Sequence, residues 1–173
     1  MMLDSCICEP VHETGGKLSE ETVAWMKTQL EEAKKQGVTV IPVSHHNLLD
    51  ESTLYPEECT IENTKEVTAL LETYGVPVYL SGHLHLQRIK KHTSNLNTPG
   101  GYGIREIVTS PLPMAPCQYS ILNWQADGSL SYHTKKVDIA GWAQRYGEED
   151  ENLLNFDAYA DQFLVDVISE QAF

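Results

Sequence analysis

The chain has 173 residues, which is enough for one domain with a substantial hydrophobic core. Its hydrophobic fraction of 41% and charged fraction of 21% exclude a disordered or fibrous protein. A net charge of -13 argues against a nucleic-acid-binding surface, and no apolar run is long enough to cross a bilayer. Because the N-terminus also lacks a signal-peptide pattern, we expect this chain to be soluble and cytoplasmic.

The first predicted elements are a short strand and a helix. "MMLDSCIC" is typical of a strand, and a loop broken by Gly15 and Gly16 follows it. Ser19 is a candidate N-cap of the helix, and Gly37 is its candidate end. Apolar residues at helical spacing predict one buried face, formed by Val23, Met26, Leu30 and Ala33.

A strand and a long loop are predicted next. Residues 38–44, "VTVIPVS", form an apolar, β-branched run that predicts a strand covered on both faces. The run ends at His45 and His46. Residues 47–61 show no sustained periodicity, which predicts a loop of the length that is often functional.

A second helix and a second buried strand follow the loop. Asn63 and Glu66 have the spacing of a capping box, and Gly75 is the predicted end of this helix. "VYLSG" then predicts a strand that leads to His83. A helix therefore leads twice into an apolar strand that ends in histidine, which is the pattern of a layered α/β fold. Ligands at such strand ends meet at one edge of the sheet.

The second half of the sequence has a different pattern. "LHLQRIKKH", "YGIREIVTS", "QYSILNWQ" and "LSYHTKKVDI" predict antiparallel strands, with turn residues at 98–101 and at Asp127-Gly128. Residues 140–173 hold eight acidic side chains and one basic one, with aromatic and aliphatic residues at mostly helical intervals. We expect helices here that pack on this domain or on a partner. The predicted division is therefore a domain at 1–139 and an acidic helical extension at 140–173.

Four cysteines show no zinc-binding spacing. Cys6, Cys8, Cys59 and Cys117 form neither a Cys-x-x-Cys pair nor a zinc-finger pattern. We interpret them as reduced thiols packed in or near the core.

Histidine placement indicates a metal site. Residues two apart in a strand point to the same side, so His83 and His85 are expected to reach a common cavity, with Gly82 allowing the backbone a close approach. His45 arrives at the end of the other buried strand. Imidazole is a ligand for zinc, iron and manganese, and three histidines on neighbouring strand ends favour a metal site. The remaining histidines outside such a pattern are expected at the surface: His12, His92 and His133.

These motifs resemble a known family. "VIPVSHHNLL" followed by "VYLSGHLH" resembles the last two signature blocks of the calcineurin-like metallophosphoesterases, and the likeness extends over about residues 1–139. Members similar to cyclic nucleotide phosphodiesterases and general phosphohydrolases look nearest. The resemblance implies an α/β fold, a partial sandwich of mixed β-sheets flanked by helices, here with a C-terminal helical extension.

The same resemblance implies a chemistry. His45 and His83 would bind one metal ion and His85 a second, the ions being Mn, Fe or Zn. A metal-activated hydroxide would then hydrolyse a phosphomonoester or phosphodiester, which makes the expected partner a small-molecule phosphoester. His46 matches a position where the family often repeats histidine. It is our candidate catalytic residue, with support of the pocket and a plain surface role as the alternatives.

The family's earlier blocks do not occur in this sequence. Asp-x-His, Gly-Asp-x-x-Asp and Gly-Asn-His supply the bridging carboxylate and further ligands, and no Gly-Asp or Gly-Asn pair is present. We therefore expect a C-terminal portion of the domain that is inactive alone and that self-associates or pairs with the missing N-terminal half. Two alternatives stay open: a non-catalytic binding or regulatory module of the same fold, and a mononuclear three-histidine metal protein.

Overall fold

The computed structural model describes residues 1–8, 10–11, 13–50, 57–92 and 103–171. In this part of the chain the elements fall into two compact units, 1–109 and 110–173. The α-helices are α1 (Glu20–Gln36), α2 (Thr64–Thr73), α3 (Ile139–Tyr146), α4 (Glu151–Leu154) and α5 (Phe156–Gln171), and a short 3₁₀-helix spans Glu57–Cys59. The strands are β1 (Val78–Ser81), β2 (Arg88–Lys91), β3 (Arg105–Val108), β4 (Gln118–Trp124) and β5 (Leu130–Lys136). The predicted α/β class with small sheets, helices and a C-terminal helical stretch is confirmed.

Helix α1 forms as its sequence predicts. The Ser19 side chain accepts a hydrogen bond from the Thr22 N–H, and Gly37 ends the helix in the left-handed conformation with φ 66°. Met26 and Leu30 are buried on the predicted apolar face. Local caps and helical periodicity are therefore sufficient to define this element.

Helix α2 forms where it was expected, but the predicted capping box is wrong. Asn63 makes no side-chain cap. Its Oδ1 instead accepts from the Leu18 N–H at 3.1 Å, and its Nδ2 donates to the Leu18 carbonyl at 2.9 Å and to Glu66 at 3.3 Å. Asn63 therefore connects the start of α2 to the segment that precedes α1.

The first unit contains a three-stranded mixed sheet in the order β1-β3-β2. β1 and β3 are parallel, and β2 runs antiparallel to β3. The antiparallel pairing expected for the first two strands of the second half is therefore confirmed, and β3 additionally pairs in parallel with β1.

The two segments before β1 that were predicted as strands form only isolated β-bridges. Val43 pairs in parallel with Met2 and with Leu80, while the rest of 38–44 is not a strand. Pro42 has no N–H to donate, and Val38 is 55% exposed. The strand predicted over 38–44, covered on both faces, is therefore wrong at its start, as is the strand predicted for "MMLDSCIC".

A hydrophobic core lies between the helices and the sheet of the first unit. Its side chains come from α1, α2, β1 and the segments that connect them, and they include Leu3, Leu18, Met26, Leu30, Leu48, Ile61, Val67, Leu71, Tyr79 and Ile104. The two segments that carry His45 and His83 are continuous with this core, through Leu48 and Tyr79.

The second unit consists of a hairpin and helices. β4 and β5 are antiparallel, and Gly128 takes φ 82° in the predicted turn at Asp127-Gly128. The turn predicted at 98–101 lies outside the described residues. The predicted helices after residue 140 are confirmed as α3, α4 and α5, although many of their aromatic side chains are exposed: Trp142, Tyr146, Tyr159 and Phe163.

The cysteine prediction is half right. Cys59 and Cys117 are buried thiols, but Cys6 and Cys8 are exposed, and no disulfide forms in the described part of the chain. Within the same residues, no helix is long and apolar enough to span a membrane. The division at residues 139 and 140 stays a prediction.

Candidate functional site

Two histidines meet at the edge of the sheet. The segment that ends at His45 pairs in parallel with β1 through Val43 and Leu80. Both segments therefore run in the same direction and end at the same edge of the sheet. The Gly82 N–H donates to the His45 carbonyl at 3.0 Å. His45 Nε2 and His83 Nδ1 then lie 2.9 Å apart, with ring centroids separated by 4.8 Å. Two parallel extended segments therefore bring together side chains 38 residues apart in sequence.

The backbone after β1 is not the strand that we predicted. His83 and His85 both lie in the left-handed region, with φ of 61° and 58°. The Leu84 N–H donates to the Gly82 carbonyl at 2.6 Å, which closes a tight turn around His83. Non-glycine residues adopt this conformation at a cost of about 1–3 kcal/mol each, and such residues cluster at functional sites. Strand alternation therefore does not explain the placement of these side chains.

His85 lies within electrostatic reach of the histidine pair. It lowers the pKa of His45 and of His83, although less than burial does. Among the described residues, no three His, Cys, Asp or Glu side chains are arranged to hold a metal ion. The structure thus brings His45 and His83 into contact and leaves His85 as a neighbour.

The paired imidazoles favour the neutral form. Burial lowers the pKa of both His45 and His83, and the neighbouring His46 and His85 lower it further. Glu58 acts in the opposite direction on His83. The two ring nitrogens lie within hydrogen-bond distance of each other, and each neutral imidazole carries one N–H and one lone pair.

His46 is not a surface residue. Its side chain is 3% exposed, which rules out the plain surface role. Nε2 lies 3.0 Å from the Thr14 carbonyl and therefore donates to it, while Nδ1 lies 2.8 Å from Ser5 Oγ and accepts from it. Both ring nitrogens are occupied within the protein.

The close backbone approach occurs at Gly16 rather than at Gly82. A Cβ added to Gly16 would lie 2.3 Å from His46 Cγ, whereas one added to Gly82 would meet its nearest neighbour at 3.8 Å. Gly16 therefore leaves the space that the buried His46 ring occupies. The prediction that Gly82 is needed for a close approach is wrong.

A buried tyrosine supports the first histidine segment. The Tyr79 hydroxyl donates to Ser44 Oγ at 2.7 Å, and Ser44 Oγ donates to the His46 carbonyl at 2.6 Å. Burial raises the pKa of the Tyr79 hydroxyl, so it remains a donor at neutral pH. This chain of hydrogen bonds connects β1 to the His46 carbonyl.

A buried carboxylate joins the two histidine segments. Glu106 on β3 accepts from the Leu48 and Leu49 N–H groups at 2.7 and 2.6 Å and from Ser81 Oγ at 2.6 Å. Asn47 Nδ2 donates to Ser81 Oγ at 2.9 Å and to the Gly82 carbonyl at 3.0 Å. Apart from Glu106 itself, the residues in these hydrogen bonds lie one to four positions from His45 or His83 in the sequence.

Glu106 is not among the predicted site residues, although one signal in the sequence points to it. Glu106 shares its strand face with Ile104 and Val108, because residues two apart in a strand point the same way. Both neighbours are fully buried. An acidic residue between two apolar positions of one strand face predicts a buried, hydrogen-bonded carboxylate.

The histidine pair fits one metal ion in part. Zinc–imidazole bonds are about 2.0–2.1 Å long, so two nitrogens on one tetrahedral zinc ion lie about 3.3–3.4 Å apart. The observed separation of 2.9 Å is shorter, so the two rings would have to move slightly apart to hold zinc. Imidazole is also the donor that zinc, manganese and iron accept. Two donors fit, and the described residues supply no third at this point.

The other histidines lie apart from the pair. His92, at the end of β2, contacts Glu72 at 3.4 Å, and its side chain is 39% exposed. His133 is exposed on β5, as expected. His12 lies outside the described residues.

Comparisons with known proteins gave two partial similarities. Residues 138–173 match the family model described as the C-terminal domain of cyclic nucleotide phosphodiesterase. A comparison with curated proteins gave no match. Among solved structures, a dimetal phosphatase from Danio rerio is similar at 18% identity and a TM-score of 0.43, over 55% of this chain and 27% of that one. The family match covers only the segment that contains α3, α4 and α5.

Proposed function

We propose that this chain contributes the histidine side of a metal-dependent phosphoesterase site. The observation that carries the proposal is the 2.9 Å contact between His45 Nε2 and His83 Nδ1 at the ends of parallel extended segments. In this proposal His45 and His83 would hold one divalent ion, of Mn, Fe or Zn, and His85 would be a ligand of a second. The sequence motifs around the three histidines support this assignment.

A phosphodiester is the substrate class that this proposal favours. The C-terminal helices match a family named for cyclic nucleotide phosphodiesterases, which supports an ester with a phosphate centre. A bound divalent ion would supply a Lewis acid and a water of lowered pKa. The neutral imidazoles contribute lone pairs without adding charge, so the ion keeps its positive field. That field offsets the overall charge of -13 when an anionic ester approaches.

His46 has a positioning role in this proposal. Its ring is held by Ser5 and Thr14, so it presents neither a free base nor a free acid to a substrate. The ring instead fixes the backbone on the C-terminal side of His45. We therefore assign His46 to support of the site and not to proton transfer.

Hydrolysis requires donors beyond the histidine pair. Two imidazoles hold an ion weakly, and a binuclear mechanism needs a bridging carboxylate. We propose that these donors come from a separate polypeptide segment. The chain alone is therefore expected to bind an ion and a phosphodiester without turning it over.

The test uses dimethyl phosphate, a small phosphodiester, and Mn²⁺. We expect calorimetry to detect dimethyl phosphate binding only when Mn²⁺ is present, and expect His83→Ala to abolish it. Binding that is independent of Mn²⁺, or equal in the variant, would contradict the proposed site. Turnover of a chromogenic phosphodiester by the chain alone, lost in His83→Ala, would show that the site is already complete.

Self-association is a separate part of the proposal. In the described part of its sheet, β2 lies at an edge and carries Arg88, Lys90 and Lys91, and charged edge strands oppose strand-to-strand pairing. Association through exposed aromatic side chains such as Trp142 and Tyr146 is therefore the favoured mode. Sedimentation should show a dimer or larger species that Trp142→Ser weakens, and a monomer at all concentrations would contradict this.

A further inference from the structure

We propose that Glu106 positions the histidine pair by holding both histidine-bearing segments on one buried carboxylate. This inference rests on the proposed function, because it takes His45 and His83 as the metal ligands. The hydrogen bonds that join Glu106 to the two segments go to backbone amides and to Ser81 Oγ. Glu106 acts through the backbone and through Ser81, so it is a positioning residue.

One part of the arrangement controls the His45 segment. Oε1 and Oε2 of Glu106 accept from two consecutive amides, Leu48 N–H at 2.7 Å and Leu49 N–H at 2.6 Å. Hydrogen bonds to an ionised acceptor are short and about twice as strong as neutral ones. Leu48 follows His45 by three residues, so these bonds fix the direction in which the chain leaves the strand end.

The other part controls the His83 segment. Ser81 is the last residue of β1, and its Oγ donates to Glu106 Oε1 at 2.6 Å. Asn47 joins the two parts, because its Nδ2 donates to Ser81 Oγ and to the Gly82 carbonyl. The left-handed turn at His83 begins directly after these contacts. The Glu106 carboxylate therefore binds one segment just after His45 and the other just before His83.

A carboxylate is required for this geometry. Both oxygens of Glu106 accept, and the residue is fully buried, so water does not replace a lost partner. In Glu106→Gln one oxygen becomes an NH₂ group, which would place a donor against a backbone N–H. A leucine at position 106 would be buried at a lower desolvation cost, but it would leave the Leu48 and Leu49 amides without this acceptor. The need to hold both histidine-bearing segments in place therefore explains the glutamate at position 106.

The experiment compares Glu106→Gln with the wild-type chain by long-range ¹H–¹⁵N spectra of the histidine rings and by titration with Zn²⁺. Glu106→Gln should shift the His45 and His83 ring signals without metal. It should also weaken Zn²⁺ binding by about tenfold or more, as loss of residues behind metal ligands does. Glu72→Gln is the matched control, because Glu72 is a carboxylate on α2 whose side chain is only 11% exposed and contacts His92 instead. The control should leave both readouts unchanged.

The outcomes separate the two proposals. Wild-type ring signals and Zn²⁺ affinity in Glu106→Gln would overturn the positioning role while leaving the metal site intact. Ring shifts in Glu106→Gln, with no Zn²⁺ binding by the wild-type chain, would support the positioning role and contradict the proposed function. If Glu106→Gln does not fold, Ser81→Ala decides, because it removes the contact to β1 and keeps both amide bonds. Unchanged ring signals in Ser81→Ala would then overturn the inference.

Discussion

The histidine-bearing part of the first unit and the C-terminal helices use their side chains in opposite ways. In the first, polar groups such as Asn47, Ser81 and Glu106 are buried and hydrogen-bonded. In the second, large aromatic groups such as Trp142 and Tyr146 remain exposed. The family match lies on the C-terminal helices, whereas the candidate chemistry lies on the first unit. Family similarity and site geometry therefore come from different segments, and the function has to be argued from the site.

The largest expected difference between the two regions is in packing. Leu30 is 2% exposed in the core of the first unit, whereas Val165 on α5 is 56% exposed. Leu30→Ala should lower the free energy of unfolding by about 2–5 kcal/mol, because it removes buried contacts and leaves a cavity. Val165→Ala should change it by no more than about 0.5 kcal/mol. Urea denaturation measures both, and similar losses would remove the contrast.

Two glycines sharpen the comparison. A Cβ at Gly16 would meet the buried His46 ring at 2.3 Å, and a Cβ at Gly141 would meet the exposed Asp138 carboxylate at 2.1 Å. Gly16→Ala should cost about 1–3 kcal/mol, because the ring is held by two hydrogen bonds and has no space to move.

Gly141→Ala is the matched case on α3. Asp138 turns into solvent there and loses a cap contribution of about 0.5–2 kcal/mol, while alanine in place of glycine favours the helix by about 1 kcal/mol. The net change in unfolding free energy should therefore be close to zero. An equal cost in thermal unfolding of the two variants would show that the buried ring is freer to move than its contacts indicate.

A smaller effect is expected at the tyrosines. Tyr79 is buried and donates to Ser44, whereas Tyr159 on α5 is 43% exposed. Tyr79→Phe should lower the free energy of unfolding by about 0.5–1.5 kcal/mol, the usual net contribution of one hydrogen bond. Tyr159→Phe should leave it unchanged in the same assay. A neutral Tyr79→Phe would mean that the Tyr79–Ser44 bond does not support the His46 peptide.

The smallest effect is a pH dependence that belongs to the first unit. The pKa of His45 and of His83 is lowered in the folded state, chiefly by burial. The unfolded chain then binds more protons as the pH falls below the ordinary histidine pKa of about 6.5. Stability should therefore be fully present above that pH and decrease below it.

Chemical denaturation across this pH range checks the assignment. A His45→Asn/His83→Asn double variant should show a weaker pH dependence, and Val165→Ala, which changes no titratable group, should keep that of the wild type. An unchanged pH dependence in the double variant would assign the effect to other groups.

Local patterns predicted the elements that local forces determine. Helix α1 follows from its own caps and periodicity, and the meeting of His45 with His83 follows from two apolar segments that end at one sheet edge. The strand at 38–44 was overestimated, because its apolar residues are interrupted by Pro42 and lie partly in solvent. Glu106 was missed because the amides it binds are 57 and 58 residues away in sequence. Such a partner is visible only once the chain has folded.

The measurement that tests the central claim most directly is a Zn²⁺ titration of the ¹⁵N-labelled chain, with the histidine ring nitrogens observed in the wild type and in His83→Ala. If His45 and His83 bind one ion together, their ring signals should shift in parallel and reach saturation, and His83→Ala should abolish the response of His45. Ring signals that do not respond to Zn²⁺, or a His45 response that persists in His83→Ala, would contradict the account.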